Sequence, residues 1–140
     1  MSSPLSIRFD DDVLARLRRR ADGLPGATPS GVAQQLIDEG LRMSEFPGVV
    51  FKDGPSGRRA AIVAGPDIWE VITFLAEVDE RGELAVEAAA EVLALPQSRI
   101  RVALDYYSAY GAEIDCEIRA AEAASVAAEA AWRSSRELLA

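Results

Sequence analysis

Apolar and polar side chains alternate along residues 5–9, near the start of the chain. This period of two is typical of a β-strand with one buried face, because successive side chains of a strand point to opposite sides. The polar face carries Pro4, Ser6 and Arg8. A lone strand of this length is not stable without a partner, and no second strand lies nearby in the sequence. We therefore expect it to pair with the same strand of a second copy, in a two-fold homodimer.

Two helices are predicted next. Asp10 is a suitable N-cap for the first, in which apolar residues recur at helical spacing until Gly23 ends it. Thr28 is a suitable N-cap for the second helix, and Pro29 fits its first turn, where the missing N–H costs nothing. The apolar face of the second helix predicts an end near Met43.

Strand, helix, turn and helix within residues 4–43 resemble the ribbon-helix-helix family. The matching residues are the alternating strand, the Asp10-Asp11-Asp12-Val13-Leu14 helix start and the Thr28-Pro29-Ser30 helix start. The resemblance implies a ribbon that enters the DNA major groove and reads bases with Pro4, Ser6 and Arg8. It also implies that Thr28 and Ser30 hold a phosphate at the helix N-terminus. The alternative is a dimerisation module without affinity for DNA.

The middle of the chain predicts a β-hairpin followed by three helices. Residues 46–64 favour two short strands with a loop near residues 53–57. The helices are expected over residues 67–75, 84–94 and 97–110, with a break at Leu95-Pro96. In the last helix, the predicted inward face consists of Ile100, Ala103, Leu104 and Tyr107.

Residues 46–111 resemble a small prokaryotic antitoxin-associated domain of winged helix-turn-helix type. The resemblance rests on the Gly57-Arg58-Arg59 stretch that leads into Gly65-Pro66, and on the Tyr106-Tyr107-x-x-Tyr110 ending. It implies a second DNA-contacting helix that begins at Gln97 and uses Ser98, Arg99 and Arg101. The alternative is an interaction or dimerisation unit. Nine acidic against three basic side chains in residues 66–111 favour that alternative, because phosphates repel such a surface.

Residues 113–140 contain no Gly or Pro and are rich in Ala, Glu and Arg, which predicts one long helix. Most side chains on its apolar stripe are small, so the helix cannot form a core by itself. Its few larger apolar residues are suited to anchoring a protein partner. The alternative is that the helix packs back on its own dimer.

An N-terminal DNA-binding dimer with a C-terminal helical arm resembles the antitoxins of type II toxin–antitoxin pairs. In that group the arm wraps the toxin, and relatives of the middle domain accompany ribonucleases of the PIN-like class. Those enzymes gather carboxylates around Mg²⁺, with which an antitoxin arginine can pair. The implied toxin contacts are Ile114, Ile118, Arg119, Trp132, Arg133, Arg136, Leu138 and Leu139.

Composition argues against an enzyme. The chain has no histidine, which excludes Ser-His-Asp and Cys-His catalysis and most zinc sites. Its carboxylates at positions 70, 77, 87 and 91 are expected to form a solvated acidic face rather than a metal site. We therefore expect no catalytic residue, no metal and no cofactor. The net charge is −8, but residues 1–44 are neutral, with six arginines and six acidic residues, so the N-terminal module remains compatible with DNA.

Together these patterns predict a mainly α fold with short strands in three segments. These are a ribbon-helix-helix module over residues 1–44, a hairpin-plus-three-helix domain over 45–111 and a helical arm over 112–140. No run of about 18 apolar residues is present, so no membrane partner is expected. The absence of a visible secretory signal and the lone Cys116 favour the cytoplasm. The predicted function is that of a homodimeric antitoxin that binds operator DNA and a PIN-like ribonuclease toxin. The alternative is a stand-alone dimeric transcriptional regulator or an interaction scaffold.

Overall fold

A computed structural model describes residues 1–54 and 57–140. Those residues form five helices and one two-stranded antiparallel sheet, so the prediction of a mainly α fold with short strands and a long C-terminal helix is confirmed. In chain order the elements are α1 Asp11–Asp22, α2 Pro29–Glu45, β1 Val49–Gly54, β2 Gly57–Ile62, α3 Ile68–Glu77, α4 Glu83–Val92 and α5 Gln97–Leu139. The chain divides into two compact units, residues 1–42 and residues 43–140, which are described separately.

The first unit consists of an irregular N-terminal segment and a helix pair. Residues 1–10 carry no regular secondary structure in the single chain, so the predicted strand is not formed there. A strand needs a ladder partner, and this unit offers none within one copy. The α2 helix begins as predicted, because the Thr28 hydroxyl accepts the N–H of Gly31 at 3.1 Å. It continues two residues beyond the predicted end at Met43.

The two strands of the hairpin extend further toward the turn than the sequence predicts. Val49 pairs with Ile62 and Gly54 with Gly57, so most of the predicted loop belongs to the ladder. Residues 55 and 56 of that predicted loop lie outside the described residues. The second strand ends at Ile62, because Ala64 takes a positive φ of 53° and the Gly65 N–H closes a turn onto the Ile62 carbonyl at 2.9 Å.

The core of the second unit lies between the hairpin and α3, α4 and α5. Tyr106 is fully buried at its centre and makes an edge-on contact with Phe46, with ring centroids 5.4 Å apart. The predicted inward residues Leu104 and Tyr107 are only half-buried. Burial instead follows a three-residue spacing through Ile100, Ala103 and Tyr106. The buried core consists of Val49, Ala60, Ile62, Ile68, Val71, Ile72, Val86, Ala89, Ile100, Ala103, Tyr106 and Ile114.

The last two predicted helices are joined in the structure. The α5 helix runs for 43 residues with a kink at Tyr110, whose φ of −128° and ψ of 35° are not helical. Helix formation continues across the kink because Ile114 is fully buried and Ile118 packs against the same core. The beginning of the predicted arm over residues 112–140 therefore belongs to the second unit. Residues 122–140 are exposed throughout, and we call them the tail.

Candidate functional site

The candidate base-reading residues Pro4, Ser6 and Arg8 are all exposed in the irregular N-terminal segment. Thr28 and Ser30 are exposed at the start of α2, where the Thr28 hydroxyl already caps the helix. The positive end of the helix dipole favours an anion there, although Pro29 has no N–H and the Gly31 N–H is already bonded to Thr28. The structure therefore leaves all five residues of the predicted N-terminal DNA site accessible.

The same unit exposes a large apolar face. Ala21 and Val32 are its buried apolar residues, whereas Leu5 is 81% exposed and Ile7 is 50% exposed. A hollow of about 290 Å³ opens on this face. Apolar side chains on its wall are Phe9, Val13, Leu17, Ala33, Leu36 and Ile37. A contiguous apolar surface of this kind marks an interaction site.

The three residues of the predicted second DNA site differ in accessibility, since Ser98 and Arg101 are exposed and Arg99 is half-buried. Ser98 is exposed, but Arg99 is half-buried and donates to the Pro47 carbonyl at 3.2 Å. Arg101 forms a two-armed ion pair with Glu83, one arm of which measures 3.2 Å between Nη1 and Oε1. This pairing lowers the pKa of Glu83 and raises that of Arg101. Arg99 is therefore held within the fold, whereas Arg101 is exposed and its surface ion pair can be replaced at small cost, so the second DNA contact stays a prediction.

The candidate toxin contacts divide into buried and exposed residues. Ile114 is a core residue with no exposed surface, which corrects its assignment as a partner contact, and Ile118 is half-buried against the same core. Arg119 is exposed, as is the whole tail. Trp132 is 58% exposed and both C-terminal leucines are 88% exposed. The accessible set therefore consists of Arg119, Trp132, Arg133, Arg136, Leu138 and Leu139.

The tail arginines have only local partners. Arg133 forms an ion pair with Glu129 at 2.6 Å, one helical turn away. The guanidinium of Arg136 lies 4.9 Å from the centre of the Trp132 ring. Exposed pairs of this kind contribute little to stability, so a partner with better-placed carboxylates can replace them at small cost.

A charged cluster around Asp67 was not predicted as a site. Asp67 is only 5% exposed, just before α3. One carboxylate oxygen lies 2.9 Å from the Lys52 Nζ, and the other accepts from the Arg59 Nε at 2.7 Å. The second oxygen also accepts the Trp69 indole N–H at 3.1 Å. The Glu70 carboxylate in turn accepts the N–H of Asp67 at 2.8 Å, which fixes the start of α3.

The ionised form of Asp67 is favoured by these partners. Burial acts to raise the pKa of Asp67, but hydrogen bonds and charges from Lys52 and Arg59 outweigh it, and the pKa is lowered. Lys52 and Arg59 are directly opposite each other in the ladder. Like charges at such a position are unfavourable, and the carboxylate of Asp67 compensates both. Both basic residues are visible in the sequence, but only the strand register shows that Lys52 and Arg59 lie opposite each other.

Glu117 has the opposite environment. It lies on α5 between the core residues Ile114 and Ile118, and its Oε2 is buried without a hydrogen-bond partner among the described residues. Burial, followed by the charges of Glu113 and Asp67, raises its pKa to about 7, although Arg59 acts in the other direction. The sequence signal for this site is the spacing of Glu117 from Ile114. Residues three positions apart lie on the same face of a helix, so Glu117 lies next to the apolar stripe.

The described residues contain neither a candidate metal site nor a helix that could span a membrane. Within residues 1–54 and 57–140, no three acidic or cysteine side chains form a group that could hold a metal ion. Glu70, Glu77, Glu87 and Glu91 are exposed, as expected for a solvated face. Across the same part of the chain, no helix combines the length and the apolar character needed to cross a membrane.

Comparisons with protein-family models, with curated proteins and with solved structures found no match to this chain.

Proposed function

We propose that this chain is a homodimeric DNA-binding regulator of the antitoxin type. Residues 1–44 would form a ribbon-helix-helix dimer on operator DNA, and the tail would bind a PIN-like ribonuclease. The observation that carries the proposal is the exposed apolar face of residues 1–42, which requires a covering partner.

Size supports the dimer. A unit of about 40 residues rarely stabilises itself by its own core, and this one buries two small apolar side chains while Leu5, Ile7 and Leu41 remain exposed. A second copy supplies both missing parts: a ladder partner for residues 5–9 and an apolar surface for the helix pair. Each fully buried aliphatic side chain would contribute about 1.5–3 kcal/mol.

Charge supports a DNA contact restricted to the N-terminal module. Arg8 and Ser6 are exposed in the same segment, and residues 1–44 are neutral. Residues 66–140 carry fifteen acidic against six basic side chains, and Arg99 is held within the fold. A bidentate arginine contact to guanine contributes about 1–3 kcal/mol of discrimination between bases.

Exposed anchors support a protein partner for the tail. Trp132, Leu138 and Leu139 present apolar surface, and Arg133 and Arg136 are held only by weak local contacts. Arginine pairs well with carboxylates such as those that PIN-like ribonucleases gather around Mg²⁺. The continuous helix through Leu139 favours a second candidate, a stand-alone regulator or scaffold with an ordered tail.

A mobility-shift titration with DNA from upstream of the chain's own gene tests the DNA contact. We expect Arg8→Ala to weaken specific binding about tenfold or more, because a base contact is lost. Arg119→Ala makes the same charge change at an exposed position in the other unit and should leave binding unchanged. Equal affinity of the Arg8→Ala protein and the wild type would remove residues 4–8 from DNA recognition.

A further inference from the structure

A groove lies between the hairpin, the start of α3 and α5, where the exposed part of α5 begins. Its volume is about 630 Å³. Small alanine side chains of α5 and the indole-bearing Trp69 both line it. We call it the Glu117 groove. Its lining consists of Lys52, Arg59, Asp67, Trp69, Glu70, Glu117, Ala120, Ala121 and Ala124.

The cations of the groove already have anionic partners. Lys52 and Arg59 each contact one oxygen of Asp67, at 2.9 and 2.7 Å. Glu70 lines the same groove, so two cations meet two carboxylates before Glu117 is considered. The groove is therefore poorly suited to an anion.

Glu117, in contrast, lacks a hydrogen-bond donor for one of its carboxylate oxygens among the described residues. Its buried Oε2 has no donor in the described parts of the chain, and a buried acceptor without a partner is costly. It is faced by Arg59 from β2, by Asp67 from the start of α3 and by Glu113 from its own helix. Arg58 and Glu113 line a smaller hollow that Glu117 also borders. Its pKa of about 7 reflects the cost of burying its charge near two other carboxylates, and a cationic donor would relieve that cost.

We propose that the Glu117 groove binds the guanidinium of an arginine side chain from a protein partner. The Glu117 carboxylate turns toward the groove it lines and accepts the N–H groups of the arginine, so that its covered Oε2 gains a donor. The arginine side chain packs on the indole of Trp69. Arginine fits better than lysine because it is planar, weakly hydrated, rich in donors and stacks on aromatic rings. The alanines of the groove lead directly into the tail, so a protein that lies along the tail also reaches the groove. The inference goes beyond the proposed function and does not depend on which protein binds the tail.

Binding of this kind is linked to pH. The arginine pairs with ionised Glu117, so its affinity should rise about tenfold per pH unit below pH 7 and level off above it. By reciprocity, the bound arginine lowers the pKa of Glu117.

The test uses full-length protein with Trp132→Phe, which leaves Trp69 as the single tryptophan. N-acetyl-arginine amide is titrated while Trp69 fluorescence is followed between pH 5.5 and 8.5, and N-acetyl-citrulline amide serves as the uncharged isostere. A single side chain should bind in the millimolar range. We expect saturable binding of the arginine compound only, with the pH dependence given above.

Variants make the test specific. Glu117→Gln should weaken binding at pH 8 about tenfold or more and abolish its pH dependence. Glu122→Gln, at an exposed position on the same helix, should change neither. NMR titration of the side-chain carboxyl carbons gives an independent readout, the fall of the Glu117 pKa on binding. No saturation at tens of millimolar, equal binding of the citrulline compound, unaltered binding by Glu117→Gln, or displacement by inorganic phosphate would each overturn the proposal.

Discussion

At the scale of residues, the buried Asp67 and the half-buried Glu117 are acidic groups in one groove with opposite pKa shifts. Asp67 has Lys52, Arg59 and an indole N–H as partners, and its pKa is lowered. Glu117 has a buried oxygen without a donor, and its pKa is raised to about 7. The difference arises from partners rather than from burial, because burial acts to raise both pKa values.

The raised pKa of Glu117 predicts a defined dependence of stability on pH. In the unfolded chain Glu117 should titrate near 4.5, so between about pH 4.5 and 7 the folded state binds more protons. The free energy of unfolding should therefore fall as pH rises through this window and stay level above it. Asp67 has a lowered pKa, so its contribution is present above about 3.8 and lost only at more acid pH.

Glu117→Gln should remove this fall. Urea denaturation at pH 8 should show the variant about 1 kcal/mol more stable than the wild type, a figure reduced for solvent screening of a half-exposed carboxyl. At pH 4 the two proteins should be equally stable. Glu122→Gln is the matched control and should follow the wild type at every pH. A Glu117→Gln protein that is less stable at pH 8 would contradict the account of this residue.

At the scale of elements, α5 changes its environment along its length. Ile100, Ala103, Tyr106 and Ile114 are buried on both sides of the kink at Tyr110. Two tyrosine hydroxyls donate across the kink, from Tyr106 to Glu113 at 3.0 Å and from Tyr107 to Asp115 at 2.7 Å. Beyond Ala121 every residue is exposed. The first part of the helix therefore stabilises the second unit, and the tail is free for a partner.

Two changes in α5 should distinguish the contribution of its core-forming part from that of the tail. Ile114→Ala should cost about 2–5 kcal/mol in unfolding free energy, because it leaves a cavity in the core. Deletion of residues 122–140 should leave the unfolding free energy of the second unit nearly unchanged. The deletion should also abolish neutralisation of a PIN-like ribonuclease in an RNA-cleavage assay, whereas Ser134→Ala should preserve it. Full neutralisation by the truncated protein would refute the proposed role of the tail.

Local patterns predicted the elements better than their packing. The cap at Thr28, the break at Leu95-Pro96 and the apolar spacing in α1 to α4 depend on neighbouring residues, so the sequence located these helices within a few positions. The choice of Tyr106 over Tyr107 for the core depends on the contact with Phe46, about sixty positions earlier in the chain. The cluster at Asp67 depends on the pairing of Lys52 with Arg59, which only the register reveals. The burial of Ile114 depends on the path of α5 beyond its kink.

At the scale of the whole molecule, acidic and apolar surfaces are distributed unequally. The first 44 residues are neutral and expose an apolar face, whereas residues 66–111 carry nine acidic and three basic side chains. The proposed second copy of the chain on the apolar face would account for the small number of buried residues in the first unit. The acidic surface of residues 66–140 is unfavourable for phosphates, which is why the proposal places the DNA contact in the N-terminal module.

The most direct test of this account is the mass of the protein in solution. Sedimentation equilibrium at micromolar concentration should give twice the mass of one chain. Replacement of Leu5 and Ile7 by aspartate should shift the protein to the monomer and melt α1 and α2, because charges replace the apolar strand face. Val126→Asp, an equally exposed apolar position in the tail, should remain dimeric. A wild-type monomer with α1 and α2 folded, or a dimer that survives the Leu5 and Ile7 replacements unchanged, would contradict the central claim.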